Sequence, residues 1–144
     1  MGETNGNGTA LRELSQDECL RLISPGGVGR VAFNGSHGPT ILPVNYQVAG
    51  GAIVFRTRAG GAMDDDLRTG IENLEIKIAF EVDEIDENRR EGWSVLVQGP
   101  IHHVTDDELA GLTGLQVEPW AGGTREQYVR ITPQRITGRR IQSL

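Results

Sequence analysis

Residues able to grip a phosphate fall together in Phe55-Arg56-Thr57, with Gly60-Gly61 close behind. Arginine offers a forked donor, threonine a hydroxyl, and paired glycines let backbone N–H groups come close to an anion. A short helical pattern follows, Met63 to Thr69, whose first N–H groups would point the same way. Two strand-like runs, Thr40 to Val48 and Ala52 to Arg58, meet at the turn Ala49-Gly50-Gly51. The first carries Pro43-Val44-Asn45-Tyr46, and a proline inside a strand marks an edge, a bulge or a ligand contact. Together the two runs read as a β-barrel wall facing a phosphorylated planar cofactor.

Other candidate chemistries are weaker. Gly26-Gly27-Val28-Gly29 follows a helical pattern and precedes a strand, the reverse of a dinucleotide-binding loop, and reads as a turn. His102 and His103 are neighbours on a strand and point to opposite faces, so no metal site is expected. Asp64-Asp65-Asp66 reads as a solvated helix start. Ser94 has no nucleophile-elbow setting. Trp93 and Trp120 are two of seven aromatic residues, and each fits either a core or an aromatic face beside a planar cofactor.

These residues need elements to hold them. Ser15-Gln16-Asp17-Glu18 is a capping box, with Leu14 placed as its staple and Cys19, Leu22 and Ile23 at helical spacing. Ser24-Pro25-Gly26-Gly27 stops that helix. Strands are expected at Arg30 to Phe33, Thr40 to Val48 and Ala52 to Arg58. The run Glu75 to Val82 alternates, with Ile76, Ile78, Phe80 and Val82 on one side, as in a half-buried antiparallel strand. Gly92 to Val104 reads as a long strand bent at Gly99-Pro100. A second capping box, Thr105 to Glu108, opens another helix, and strands are expected at Gln127 to Thr132 and Arg135 to Ile141. Residues 1–12 are polar and read as a disordered tail ahead of one domain over 13–144. Tight turns without strand–helix alternation favour a mainly β fold, an antiparallel barrel with peripheral helices.

Composition sets the setting. The chain has 144 residues, enough for one domain with a real core, and a formal charge of −6. That balance, with Arg139-Arg140 too short to make a basic stripe, argues against nucleic acid and anionic membranes as partners. Cys19 has no second cysteine to pair with and reads as a small core residue in a reducing cytoplasm. No run reaches the roughly 20 apolar residues of a membrane span, and no secretory signal opens the chain. Met1-Gly2 begins like a myristoylation site, but position 6 is glycine.

Several segments in order resemble the flavin-binding split-barrel proteins related to pyridoxamine 5′-phosphate oxidase. They are Gly29 to Phe33, Pro43 to Tyr46, Val54 to Thr57, Phe80 to Asp83, Gly92 to Gly99, Pro119-Trp120 and Ile136 to Arg140. The resemblance implies a six-stranded antiparallel split β-barrel of the FMN-binding type, a homodimer, and flavin mononucleotide (FMN) in a groove between subunits. It implies that Arg56 and Thr57 contact the phosphate with the Gly60-Gly61 loop, that Phe55 is among the cofactor-binding residues, and that Pro43, Val44, Asn45 and Tyr46 run along the isoalloxazine edge, where backbone groups can hydrogen-bond its polar rim. Ser94 and Gln98 would line the groove, with Trp93, Trp120 and Arg125 at its mouth. The expected activity is a flavin-dependent transfer of hydride or electrons to a small organic acceptor. Many relatives carry a lysine just after the phosphate-loop glycines; here Ala62-Met63 stand there, ahead of three aspartates. That departure keeps a rival open: a non-catalytic carrier of flavin, of the deazaflavin F420 or of haem, or a barrel without cofactor.

Overall fold

The computed structural model describes residues 2–4, 9–58, 76–111 and 126–143. Nine strands and two helices occur among them: β1 (Gly2–Thr4), β2 (Thr9–Leu14), α1 (Gln16–Ile23), β3 (Gly27–Gly35), β4 (Gly38–Ala49), β5 (Ala52–Arg58), β6 (Ile76–Asp86), β7 (Glu91–His103), α2 (Asp106–Gly111), β8 (Glu126–Ile131) and β9 (Arg135–Ser143). Six strands close in the order β7-β6-β3-β4-β5-β8 and back to β7, with every pairing antiparallel. Strands β9, β2 and β1 extend the sheet outward from β7. The mainly β barrel with peripheral helices is therefore what the chain forms.

Alternation builds the interior. On β6, Ile78, Phe80 and Val82 are buried, while Lys77, Ala79, Glu81 and Asp83 take the outer side. The same rule turns Val31, Ile53, Phe55, Val95, Val97, Val129 and Ile131 inward. Burying each such side chain contributes about 1.5–3 kcal/mol. Helix α1 lies against β7 and β9 and buries Cys19 and Ile23 completely. Its capping box is formed: Ser15 Oγ accepts from the Glu18 N–H, and Glu18 Oε1 accepts from the Ser15 N–H, both at 3.2 Å. Those bonds and Arg12 hold the Glu18 carboxyl below the usual carboxylate range. Burial pushes the Cys19 thiol up, in keeping with an inert packing role.

The bend in β7 has a clear cause. From Gly92 to Gln98 the strand pairs with β9, and from Ile101 to His103 with β8. The switch falls at Gly99-Pro100, where the chain between β8 and β9 crosses over. There Thr132 N–H donates to the Pro100 carbonyl (3.0 Å) and Gln134 N–H to the Gln98 carbonyl (2.9 Å). A Cβ on Gly99 would be driven into the Thr132 carbonyl, so only glycine fits the crossing.

Two readings change. The supposed tail contains strands: β2 pairs with β9 from Thr9–Ser143 to Leu14–Gly138. The physical reason is that β9 would otherwise present an open edge, and β2 meets it with Leu11 opposite Ile141 and Glu13 opposite Arg139. The glycine run is also more than a turn. Gly26 and Gly27 take positive φ, but Gly27 to Gly29 already belong to β3 and pair with Tyr46 to Val44. Gly29 is confined because a Cβ there would strike the Phe80 ring.

Candidate functional site

Strand alternation divides the expected ligand wall on β4 in two. Pro43 and Asn45 lie on the outer side, paired with Arg30 and Val28 of β3. Val44 packs against the core and Tyr46 is within it. The Tyr46 hydroxyl donates to the Ile23 carbonyl at 2.7 Å, and its ring meets Phe80 edge-on with centroids 5.0 Å apart. Burial pushes that phenol up to about 12. Tyr46 thus ties down the end of α1, and its side chain does not face outward. Phe55, opposite Tyr46 on β5, is fully buried. The side chains of Val44, Tyr46 and Phe55 support the wall from inside, which leaves to backbone groups the contact with a ring edge expected along Pro43 to Tyr46.

At the end of β5 the arrangement fits an anion. Arg56 pairs in register with Tyr128 of β8, and its guanidinium carbon lies 4.8 Å from the centroid of that ring. Such stacking helps to fix a planar cation. Tyr128 is held in turn: its carbonyl accepts from the Val104 N–H at 2.9 Å, and Arg130 Nε lies 3.1 Å from Glu108 Oε2 of α2. The next residue, Thr57, has a buried hydroxyl oxygen with no hydrogen-bond partner among the described residues. A buried hydroxyl without a partner is costly, and an oxygen-rich ligand would satisfy it. Arg56 and Thr57 lie on opposite sides of the strand, so a phosphate reached by both sits off the end of β5 and not over one face.

The remaining expected residues lie elsewhere on the protomer. Trp93 and Ser94 line a groove of about 470 Å³ with Arg90, Arg139, Leu11 and Ile85. Gln98 lines another, of about 540 Å³. Strand β7 meets β8, the neighbour of β5, only at Ile101–His103, and Gln98, Ser94 and Trp93 lie back along it in the part paired with β9. One protomer therefore does not gather these residues around Arg56. Gly60, Gly61, Trp120 and Arg125 lie outside the described residues, as do Ala62 and Met63.

Two features had no place in the sequence argument. One is Tyr128, brought to Arg56 by the β5–β8 register. The other is an ion cluster on the outer side: Arg30 Nη1 is 3.5 Å from both Glu81 Oε1 and Asp83 Oδ2. Burial first, then the neighbouring Asp83, pushes the Glu81 carboxyl up to about 7, with Arg30 opposing. The alternation of β6 was a signal for the pair, since it put both acids on one side. Among the described residues no three metal-ligating side chains gather, and no helix is long and apolar enough to cross a membrane.

A closed six-stranded antiparallel barrel whose long strand is shared with an appended sheet makes this a split β-barrel protein. Comparison with known proteins agrees: residues 15–140 match the pyridoxamine 5′-phosphate oxidase family, and the chain belongs to it. Protein Rv0080 of Mycobacterium tuberculosis is 35% identical over 129 residues, covering 90% of this chain and 84% of its own. Among solved structures, a candidate pyridoxamine 5′-phosphate oxidase of Corynebacterium glutamicum is 33% identical with a TM-score of 0.75, covering 93% of this chain and 95% of its own. An FAD-binding protein of Mycobacterium smegmatis is 32% identical with a TM-score of 0.70, covering 90% and 98%.

Proposed function

We propose that this protein binds a flavin nucleotide and uses it as an oxidoreductase acting on a small organic acceptor. The observation that carries this reading is the pairing of Arg56, set over the Tyr128 ring, with the buried hydroxyl of Thr57, which has no hydrogen-bond partner among the described residues. Arg56 and Thr57 hold the phosphate, and Pro43 and Asn45 border the ring on the outer side of β4. The bound flavin would supply the hydride or electron transfer, while the protein supplies binding, orientation and exclusion of water. The FAD-binding relative supports a flavin as the first candidate, FMN or FAD, with F420 as the alternative. The protein works as a homodimer in this reading, because Trp93 and Ser94 lie far along β7 from Ile101–His103, the segment that β8 links to β5, and do not cover Arg56 of the same protomer. The free Cys19 suits a cytoplasmic setting.

A second reading, a carrier without turnover, is favoured by Ala62-Met63 and the aspartates that follow, which replace a cation with negative charge. Both readings meet the same first test. Purified protein is titrated with FMN, FAD and F420, followed by flavin fluorescence, while sedimentation equilibrium reports the assembly. Arg56→Ala should weaken flavin binding by about 1.5–3 kcal/mol, the scale of hydrogen bonds to a charged group. Unchanged affinity in a folded variant would remove Arg56 from the site, and a monomer at micromolar concentration would remove the shared groove. Turnover of a reduced flavin with added acceptors then separates enzyme from carrier.

A further inference from the structure

The groove that contains Gln98 is lined differently from the rest of this acidic protein. It lies on the outer side of the sheet, where Ala32, Ala79, Gln98 and Arg135 form one continuous row across β3, β6, β7 and β9. Lys77 stands two residues from Ala79 on the same side of β6. Ile41, opposite Ala32 on β4, is 66% exposed and forms part of the wall. Among the described residues the lining contains two cations, Lys77 and Arg135, and no carboxylate, in a chain of formal charge −6. Neither cation has an ion-pair partner among the described residues. The nearest acid along β6, Glu81, is engaged with Arg30. The volume of about 540 Å³ is that of a small-molecule site.

We infer that this groove is a binding site for a planar apolar anion, such as an aromatic carboxylate or sulfonate, separate from the flavin phosphate site. The apolar body lies against Ile41, Ala32 and Ala79, and the acid group sits between Lys77 and Arg135 with the Gln98 amide beside it. Charge complementarity selects the ligand: a neutral molecule of the same shape gains the apolar contact but leaves both cations without a partner. The inference does not rest on the phosphate site, since neither Arg56 nor Thr57 lines this groove, and it assigns Gln98, which the family resemblance gives to the flavin groove, to this separate site.

Anilinonaphthalene sulfonate and its neutral counterpart phenylnaphthylamine test it, followed by their fluorescence on binding. The sulfonate should bind once per protomer and weaken as salt rises. The double variant Lys77→Gln/Arg135→Gln should bind it about tenfold more weakly, from two partly screened charge contacts. The same variant should bind the neutral probe unchanged, and Lys77→Arg/Arg135→Lys should restore sulfonate binding. Both positions are exposed, so these variants keep the fold. Arg56→Ala should leave the sulfonate affinity as it was even if flavin binding is lost, or if no flavin binds at all. Equal sulfonate affinity in wild type and the Gln variant would overturn the site. Displacement of the sulfonate by FMN would also overturn it, by making the groove part of the flavin site.

Discussion

Glu81 should make folding stability fall as pH rises between about 4.5 and about 7. Its carboxyl shares one guanidinium with Asp83, at 3.5 Å on either side, and burial raises it from 4.5 to about 7. In that window the folded protein keeps a proton that the unfolded chain has released. Linkage then gives a negative slope: the penalty is absent below the unfolded value and complete above the folded one. The displacement corresponds to at most about 3.4 kcal/mol. The side chain is still 35% exposed, and solvent screening reduces this to about 1 kcal/mol. Glu81→Gln removes the titration while keeping the shape. Urea unfolding of both proteins from about pH 4.5 to about pH 7.5 should show the variant gaining about 1 kcal/mol on the wild type across the range. Arg30→Gln should steepen the wild-type decline, because Arg30 is the group that opposes the shift. A difference between wild type and Glu81→Gln that stays flat with pH would refute the reasoning.

Gly99→Ala should cost about 2–3 kcal/mol in urea unfolding, since the new methyl meets the Thr132 carbonyl at a point both strands hold fixed. Tyr46→Phe should cost about 1–2 kcal/mol by leaving the buried Ile23 carbonyl without that donor, and should leave flavin affinity unchanged. Met63→Lys restores a cation beside the phosphate loop and should tighten FMN by about tenfold, more at low salt, in titrations at two ionic strengths.

The parts of the fold written in local chemistry were legible. The Ser15–Glu18 capping box, the alternation of β6 and the Gly99-Pro100 break each depend on residues close together in sequence, and each appears in place. Strand β2 was not legible, because nothing in Thr9 to Leu14 marks a strand until β9 supplies a partner from the far end of the chain. Gly29 was misread for a similar reason: its restriction comes from Phe80, on another strand. The site divides the same way. The donor types at Arg56 and Thr57 could be named from sequence, but which side each faces, and the Tyr128 ring under Arg56, depend on strand register. A motif of four consecutive residues, Pro43 to Tyr46, also conceals that a strand sends alternate side chains to opposite sides.

The pairing of β2 with β9 bears on the order in which the molecule assembles. Thr9 meets Ser143 across roughly 130 residues of chain, whereas β3 and β4 are joined by a tight turn. Loop-closure entropy rises with the separation to be bridged, and contacts of this span reward the chain only after the intervening barrel exists. The β2–β9 ladder is therefore the last to form and the first to open. Each opening leaves β9 as a bare edge while the six-stranded barrel stays shut, so amide exchange along β9 should outpace that of β6 and β7 by the free energy of this one local event.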